Sequence, residues 1–159
     1  QIIYDGKSTA ERNRDRYRLR AISLVCQNYN LFPLLTLEEN VTYPMLLRGV
    51  NPSQAEKTVH EKLKAVGLDS SYYKRLPAML SGGEQQRVAV ARSLVSDAKI
   101  ILADEPTGNL DTENSEIVFS LLQRLAHEDG YCIIVVTHDL AIADMADEVL
   151  RLKDGVLVD

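Results

Sequence analysis

Ile100-Ile101-Leu102-Ala103 and 131–136 are two short apolar runs with an amphipathic stretch between them. An apolar run without alternation suits a strand covered on both faces, the usual condition of strands in a parallel sheet. Parallel neighbours need a long crossover. The stretch from Asp111 or Thr112 to residue 126 supplies it, with Ile117, Leu121, Leu122 and Leu125 at helical spacing and Gly130 closing it. Strand–helix–strand alternation from Lys99 onward therefore predicts an α/β domain with a parallel sheet. Residues 21–26 read as a further buried strand and 140–146 as a helix. Residues 148–152 and 156–158 read as a hairpin about Lys153-Asp154-Gly155. At the start of the chain, Asp5-Gly6 follows Ile2-Ile3-Tyr4 and signals another hairpin turn.

Between these sheet-forming parts, 31–94 reads as mostly helical. Thr36 caps a helix over 37–43, which Pro44 limits. Ser53 caps a second helix, with Ala55, Val59, Leu63 and Val66 on its buried side and Gly67 ending it. Residues 69–74 read as a short helix. Leu80-Ser81-Gly82-Gly83-Glu84-Gln85-Gln86-Arg87 then opens a long one, in which Val88, Ala91, Arg92 and Val95 continue at helical spacing. Ser81 and Glu84 have the spacing of a capping box. Gly82 and Gly83 leave the backbone accessible, so free N–H groups and the positive end of the helix dipole could meet an anion. The alternative is a capped helix that binds nothing.

A chain of 159 residues with 45% apolar composition can bury a real core. No apolar run is long enough for a transmembrane helix, and 1–20 is too polar for a signal peptide. A net charge of −5 argues against a nucleic-acid partner. Arg12, Arg14, Arg16, Arg18 and Arg20 are diluted by Glu11 and Asp15 and read as a solvated face. Cys26 and Cys132 lie in apolar stretches and read as buried thiols, not a disulfide. Gly6-Lys7-Ser8 copies the end of a phosphate loop. Gln1 stands where the first glycine belongs, Asp5 would face the phosphates, and no apolar-striped helix follows, so that reading is rejected.

Polar residues close each apolar run, at the carboxyl ends of strands where open α/β sheets bind ligands. Asp104-Glu105 ends the first run, His138 follows the second, and Gln27 follows 21–26. Of the two carboxylates, one could hold a magnesium ion and the other could act on a water as general base. Against this stand the plainer readings of solvated loop acids and a structural histidine.

Together these motifs resemble the nucleotide-binding domain of ATP-binding-cassette (ABC) transporters. The residues that carry the resemblance are Gln27 in V-C-Q-N-Y-N-L-F-P, the signature L-S-G-G-E-Q-Q-R at 80–87, and I-I-L-A-D-E at 100–105. N-L-D at 109–111 and T-H-D at 137–139 complete the set. The stretches 36–50 and 102–111 look most like the lipoprotein-releasing, macrolide-exporter and antimicrobial-peptide-exporter branch.

The resemblance implies an incomplete P-loop NTPase-like (RecA-like) parallel sheet with an ABC-type helical subdomain. It implies core strands over 1–30, the helical subdomain over 31–93, and a catalytic core over 94–159. It further implies a head-to-tail dimer with a second nucleotide-binding domain, sandwiching ATP and Mg²⁺. Ser81, Gly82, Gly83 and Gln85 would face the nucleotide held by the partner, and Asp111 would lie at the dimer interface. Asp104 would hold Mg²⁺, Glu105 would polarise the attacking water, and His138 would contact the γ-phosphate. Gln27 would sense metal and phosphate. Transmembrane permease subunits would dock on 31–93, at the cytoplasmic face of the membrane.

The family's phosphate loop and its adenine-stacking aromatic residue are not in this sequence. The expectation is therefore an N-terminally truncated chain that alone neither holds ATP tightly nor hydrolyses it, and that covers its exposed sheet by self-association. Two other classes stay open. One is a soluble ABC-type ATPase of DNA maintenance, disfavoured because no heptad coiled coil separates Gln27 from Ser81. The other is a non-hydrolytic binding module.

Overall fold

A computed structural model describes residues 3–4, 7–8, 21–96 and 98–158. The arginine alternation at 12–20 lies outside them, as does the Asp5-Gly6 turn itself. Its flanks form the antiparallel pair β1 (Ile3–Tyr4) and β2 (Lys7–Ser8), so Lys7-Ser8 is strand and not phosphate loop.

The central sheet among the described residues has three parallel strands in the order β3 (Ile22–Cys26), β4 (Ile100–Asp104), β5 (Cys132–Val136). Their register aligns Cys26, Asp104 and Val136, so all three strands end at one level. Between β3 and β4 come α1 (Leu37–Leu47), α2 (Pro52–Ala65), a 3-10 turn (Pro77–Met79) and α3 (Gly82–Leu94). Helix α4 (Thr112–His127) is the crossover to β5. A one-turn helix α5 (Leu140–Ala143) and the exposed hairpin β6 (Arg151–Lys153) with β7 (Val156–Val158) follow.

The core runs from one sheet face through α3 into α1 and α2. Val25, Ile101 and Ala103 of the sheet, Val88, Val90 and Leu94 of α3, and Leu37, Val41, Val59 and Leu63 are all buried within it. Helix α3 is the hub. Val88 through Ala91, Ser93 and Leu94 are all buried, far more than the single stripe its spacing predicts, because α1, α2, α4 and β3 surround it. The Ser23 hydroxyl donates to the Ser93 carbonyl (3.0 Å) and fastens β3 to the end of α3.

Several expectations shift. Helix α1 runs through Pro44 to Leu47: the proline removes one N–H donor, and the helix continues with the next residue, Met45, buried in the core. Asn51, not Ser53, caps α2: Asn is at least as good a cap, and Pro52 between them suits the first helical position. Residues 69–74 form turns, held by Tyr72 N–H to Asp69 O and Tyr73 N–H to Ser70 O. Ile117 is exposed, and Val118 and Phe119 are buried instead. The sheet is covered on one face only among the described residues: Leu24 is 61%, Ile134 50% and Val136 58% exposed. Cys132 is correspondingly exposed and Cys26 half-buried, so neither is the fully buried thiol expected, and both are free.

Candidate functional site

The aligned ends of β3, β4 and β5 form one rim. Gln27 leaves β3, Asp104 is the exposed last residue of β4, and Thr137-His138 leave β5. Past Asp104 the chain makes one more ladder bond, Glu105 N–H to Val136 O (2.9 Å), and turns sharply. Glu105 sits at φ +46, a left-handed conformation uncommon outside glycine and frequent at functional sites.

That turn sends the Glu105 carboxylate toward β5. Its Oε1 accepts from His138 N–H (3.0 Å) and pairs with His138 Nδ1 (2.7 Å), and Oε2 accepts from the Thr137 hydroxyl (3.3 Å). The hydrogen bond to Glu105, and then its negative charge, hold the His138 imidazole above its ordinary range. The Glu105 side chain is 22% exposed and that of His138 84%, so the carboxylate is sheltered while the imidazole reaches into solvent. Asp139 is spent locally: it caps α5 by accepting from Ala141 N–H (2.9 Å).

The loop from Glu105 to Asp111 folds over the rim toward β3. Gly108 N–H donates to Glu105 O (3.1 Å) and Leu110 N–H to Thr107 O (3.0 Å). Asn109 then meets Gln27 reciprocally. Gln27 Nε2 donates to Asn109 Oδ1 (3.2 Å), and Asn109 Nδ2 donates to Gln27 O (3.2 Å). Asp111 caps α4, accepting from Asn114 N–H (2.8 Å), while Asn114 Nδ2 reaches both of its carboxylate oxygens (3.0 Å each). These donors hold the Asp111 carboxyl below its usual value.

The signature stretch forms as its spacing predicts. Ser81 Oγ accepts from Glu84 N–H (3.2 Å), and Glu84 returns the bond to Ser81 N–H (2.8 Å). The sides of Gly82 and Gly83 where side chains would stand are filled from within the chain. A Cβ on Gly82 would lie 2.8 Å from the Tyr29 hydroxyl and 3.2 Å from Leu110, and one on Gly83 would overlap the Asn114 carboxamide. Both glycines are thus needed for close packing of the loops after β3 and β4. Gln85 turns back to donate to Leu80 O (3.2 Å). Arg92, half-buried in α3, donates to Tyr29 O (2.8 Å) and Asn30 O (2.5 Å).

The structure therefore gathers Gln27, Asp104, Glu105 and His138 on one rim, and sets Ser81 to Gly83 against Tyr29, Leu110 and Asn114 beside it. Sequence reasoning assigned no role to Asn109, Asn114, Tyr29, Thr137 or Arg92. Tyr29, Asn109 and Thr137 stand inside the quoted motifs, and Arg92 is a charged residue in an otherwise apolar helix stripe; Asn114 carried no signal.

A family model described as ABC transporter matches residues 1–108. The chain is 41% identical over 161 residues to the lipoprotein-releasing system ATP-binding protein LolD of Hyphomonas neptunium, covering 99% of this chain and 70% of that one. It is 43% identical over 158 residues to the macrolide export ATP-binding/permease protein MacB of Mannheimia succiniciproducens, covering 98% of this chain and 24% of that one. Its fold matches the dimeric ATP-binding cassette MJ0796 in a post-hydrolysis state bound to ADP and Pi, with a TM-score of 0.81 and 39% identity. That match covers 96% of this chain and 68% of the other. With this agreement in sequence and fold, and with the five motifs grouped as described, the chain belongs to the ABC transporter ATP-binding family.

Proposed function

We propose that the chain carries the hydrolytic rim and the signature helix of an ATP-binding subunit that couples ATP hydrolysis to export through partner membrane subunits. The observation that carries this reading is the Glu105 carboxylate, fixed by His138 and Thr137 on the rim that also carries Asp104 and Gln27. A carboxylate held this way can accept a hydrogen bond from a water and orient it for attack on a phosphoryl group. The Glu105 carboxylate raises the affinity of His138 for a proton, and an imidazole N–H at that place is suited to a γ-phosphate.

Asp104 and the Gln27 amide offer hard oxygen donors at adjacent strand ends, which fits Mg²⁺. A bound Mg²⁺ would screen charge on the transferred group. Ser81, exposed at the positive end of α3, keeps its hydroxyl proton to donate to a nucleotide phosphate, and half-buried Gly82 adds a backbone N–H, whereas Gly83 is buried against Asn114. In this reading the nucleotide at Ser81 is held by a second copy, with Asp111 at the interface. Residues 31–93 receive the membrane subunits, which keeps the protein at the cytoplasmic face of the membrane. No described helix is long and apolar enough to cross a membrane. Between Gln27 and Ser81 the helices are only 11 and 14 residues long, which supports a transporter over a DNA-maintenance ATPase with an inserted coiled coil.

In the full-length protein, Glu105→Gln should cut ATP turnover by roughly a hundredfold or more while nucleotide binding is retained. Turnover by this variant at the unaltered rate would overturn the reading.

A further inference from the structure

Gln27 is held from two sides. On the C-terminal side of its loop, Tyr29 (φ +56) and Asn30 (φ +48) are consecutive left-handed residues that are not glycine. Such a pair persists only where surroundings hold it, and here Arg92 grips both carbonyls from α3. On the other side Asn109 closes a ring with Gln27, accepting one bond from its side-chain amide and donating one to its backbone carbonyl, and Asn109 Nδ2 also reaches Asn28 Oδ1 (3.4 Å). The two residues lie 82 apart in sequence, so this is a tertiary lock and not a local turn. Gly108 completes it: a Cβ there would lie 2.7 Å from Gln27 Nε2, so the amide rests directly on the loop backbone. The same Gly108 N–H bonds Glu105 O. A short path thus joins Gln27, Asn109, Gly108 and Glu105.

We propose that Asn109 is a positioning residue of the hydrolytic rim: its carboxamide locks the Gln27 loop to the loop after β4, so that Gln27 and Glu105 keep a fixed mutual position. The inference rests on the ATPase reading above. Among the described residues Asn109 makes its side-chain hydrogen bonds to Gln27 and Asn28, not to the Glu105 carboxylate, and it acts through Gln27. An asparagine suits this task because one side chain must both donate to a carbonyl and accept from an amide. Residues that hold a ligand-bearing side chain this way typically matter tenfold or more to activity.

The test is a double-mutant cycle in the full-length protein, using Asn109→Ala, Gln27→Ala and the pair, with kcat and KM for Mg-ATP and thermal melting measured for each. Asn109→Ser serves as a milder variant should Asn109→Ala fail to fold. The expected result is a roughly tenfold fall in kcat for Asn109→Ala with KM changed less than about twofold. The double variant should be no slower than the slower single, because Asn109 acts through the Gln27 side chain and has nothing left to position once that is gone. Amide hydrogen exchange at 27–30 should quicken in Asn109→Ala, a readout that needs no turnover. An unchanged kcat, or losses that multiply in the double variant, would overturn the proposal while Glu105→Gln remained inactive and the ATPase reading stood. Absence of turnover in the unaltered protein would overturn both.

Discussion

At the scale of single residues, the rim is decided by how Glu105 leaves its strand. A side chain continuing β4 in extended form would stand perpendicular to the sheet and not reach across to β5. The left-handed turn instead swings the carboxylate onto Thr137 and His138. One consequence is measurable by titration. The hydrogen bond to Glu105 and its charge raise the His138 proton affinity in the folded chain. The pair therefore contributes stability fully below the ordinary histidine value of about 6.5, and loses it as pH rises through the higher folded value. NMR titration should give a His138 midpoint above about 6.5, moving down toward it in Glu105→Gln, where the charge is gone. A midpoint unmoved by that substitution would show that the carboxylate does not set it. Because His138 is solvent-exposed, the effect on overall stability is small.

At the scale of elements, helix starts are where local sequence speaks most directly. Ser81 and Thr36 cap the helices their positions predict, since a cap needs only residues within one turn, and of the two starts open for α4 the structure makes Asp111 the cap. Where two cap residues compete, as Asn51 and Ser53 do, the rule is ambiguous until Pro52 is given its preferred first position. The two capping boxes make a matched pair for experiment. Thr36→Ala and Ser81→Ala each remove one side-chain cap and should each cost about 1 kcal/mol by chemical denaturation. ATP turnover in the full-length protein should fall only with Ser81→Ala, because the cap of α1 lies in the helical segment away from the rim. Equal losses of turnover would mean that Ser81 matters only as a cap. The rim was legible for a related reason: parallel strands bring their carboxyl ends to one edge, so Gln27, Asp104, Glu105 and His138 could be grouped from strand ends alone. Asn109 and Asn114 were not, because their partners Gln27 and Gly83 are distant in sequence and no periodicity links loop to loop.

At the scale of the whole molecule, an apolar run states what a strand is suited to, and its burial depends on what packs against it. In β4 the two faces diverge although Ile100 to Ala103 are all apolar: Ile101 and Ala103 are buried in the core shared with the helices, while Ile100 and Leu102 face the other way and are only half-buried. The same outer face is more open in β5, where Ile134 is 50% exposed. This asymmetry predicts the cost of truncation without reference to any ligand. In this chain, Ile101→Ala removes a fully buried side chain from between sheet and helices. It should cost about 2–5 kcal/mol, the transfer of its methylenes plus the cavity left behind. Ile134→Ala, from the same parallel sheet and of the same chemistry, leaves no enclosed cavity. It should cost about 1 kcal/mol or less, in line with the smaller area withdrawn from water. Urea unfolding of the two variants distinguishes the faces. Equal destabilisation would mean that the face of Leu24, Leu102 and Ile134 is covered in solution, and light scattering on the same samples would then show whether a second copy of the chain supplies the cover.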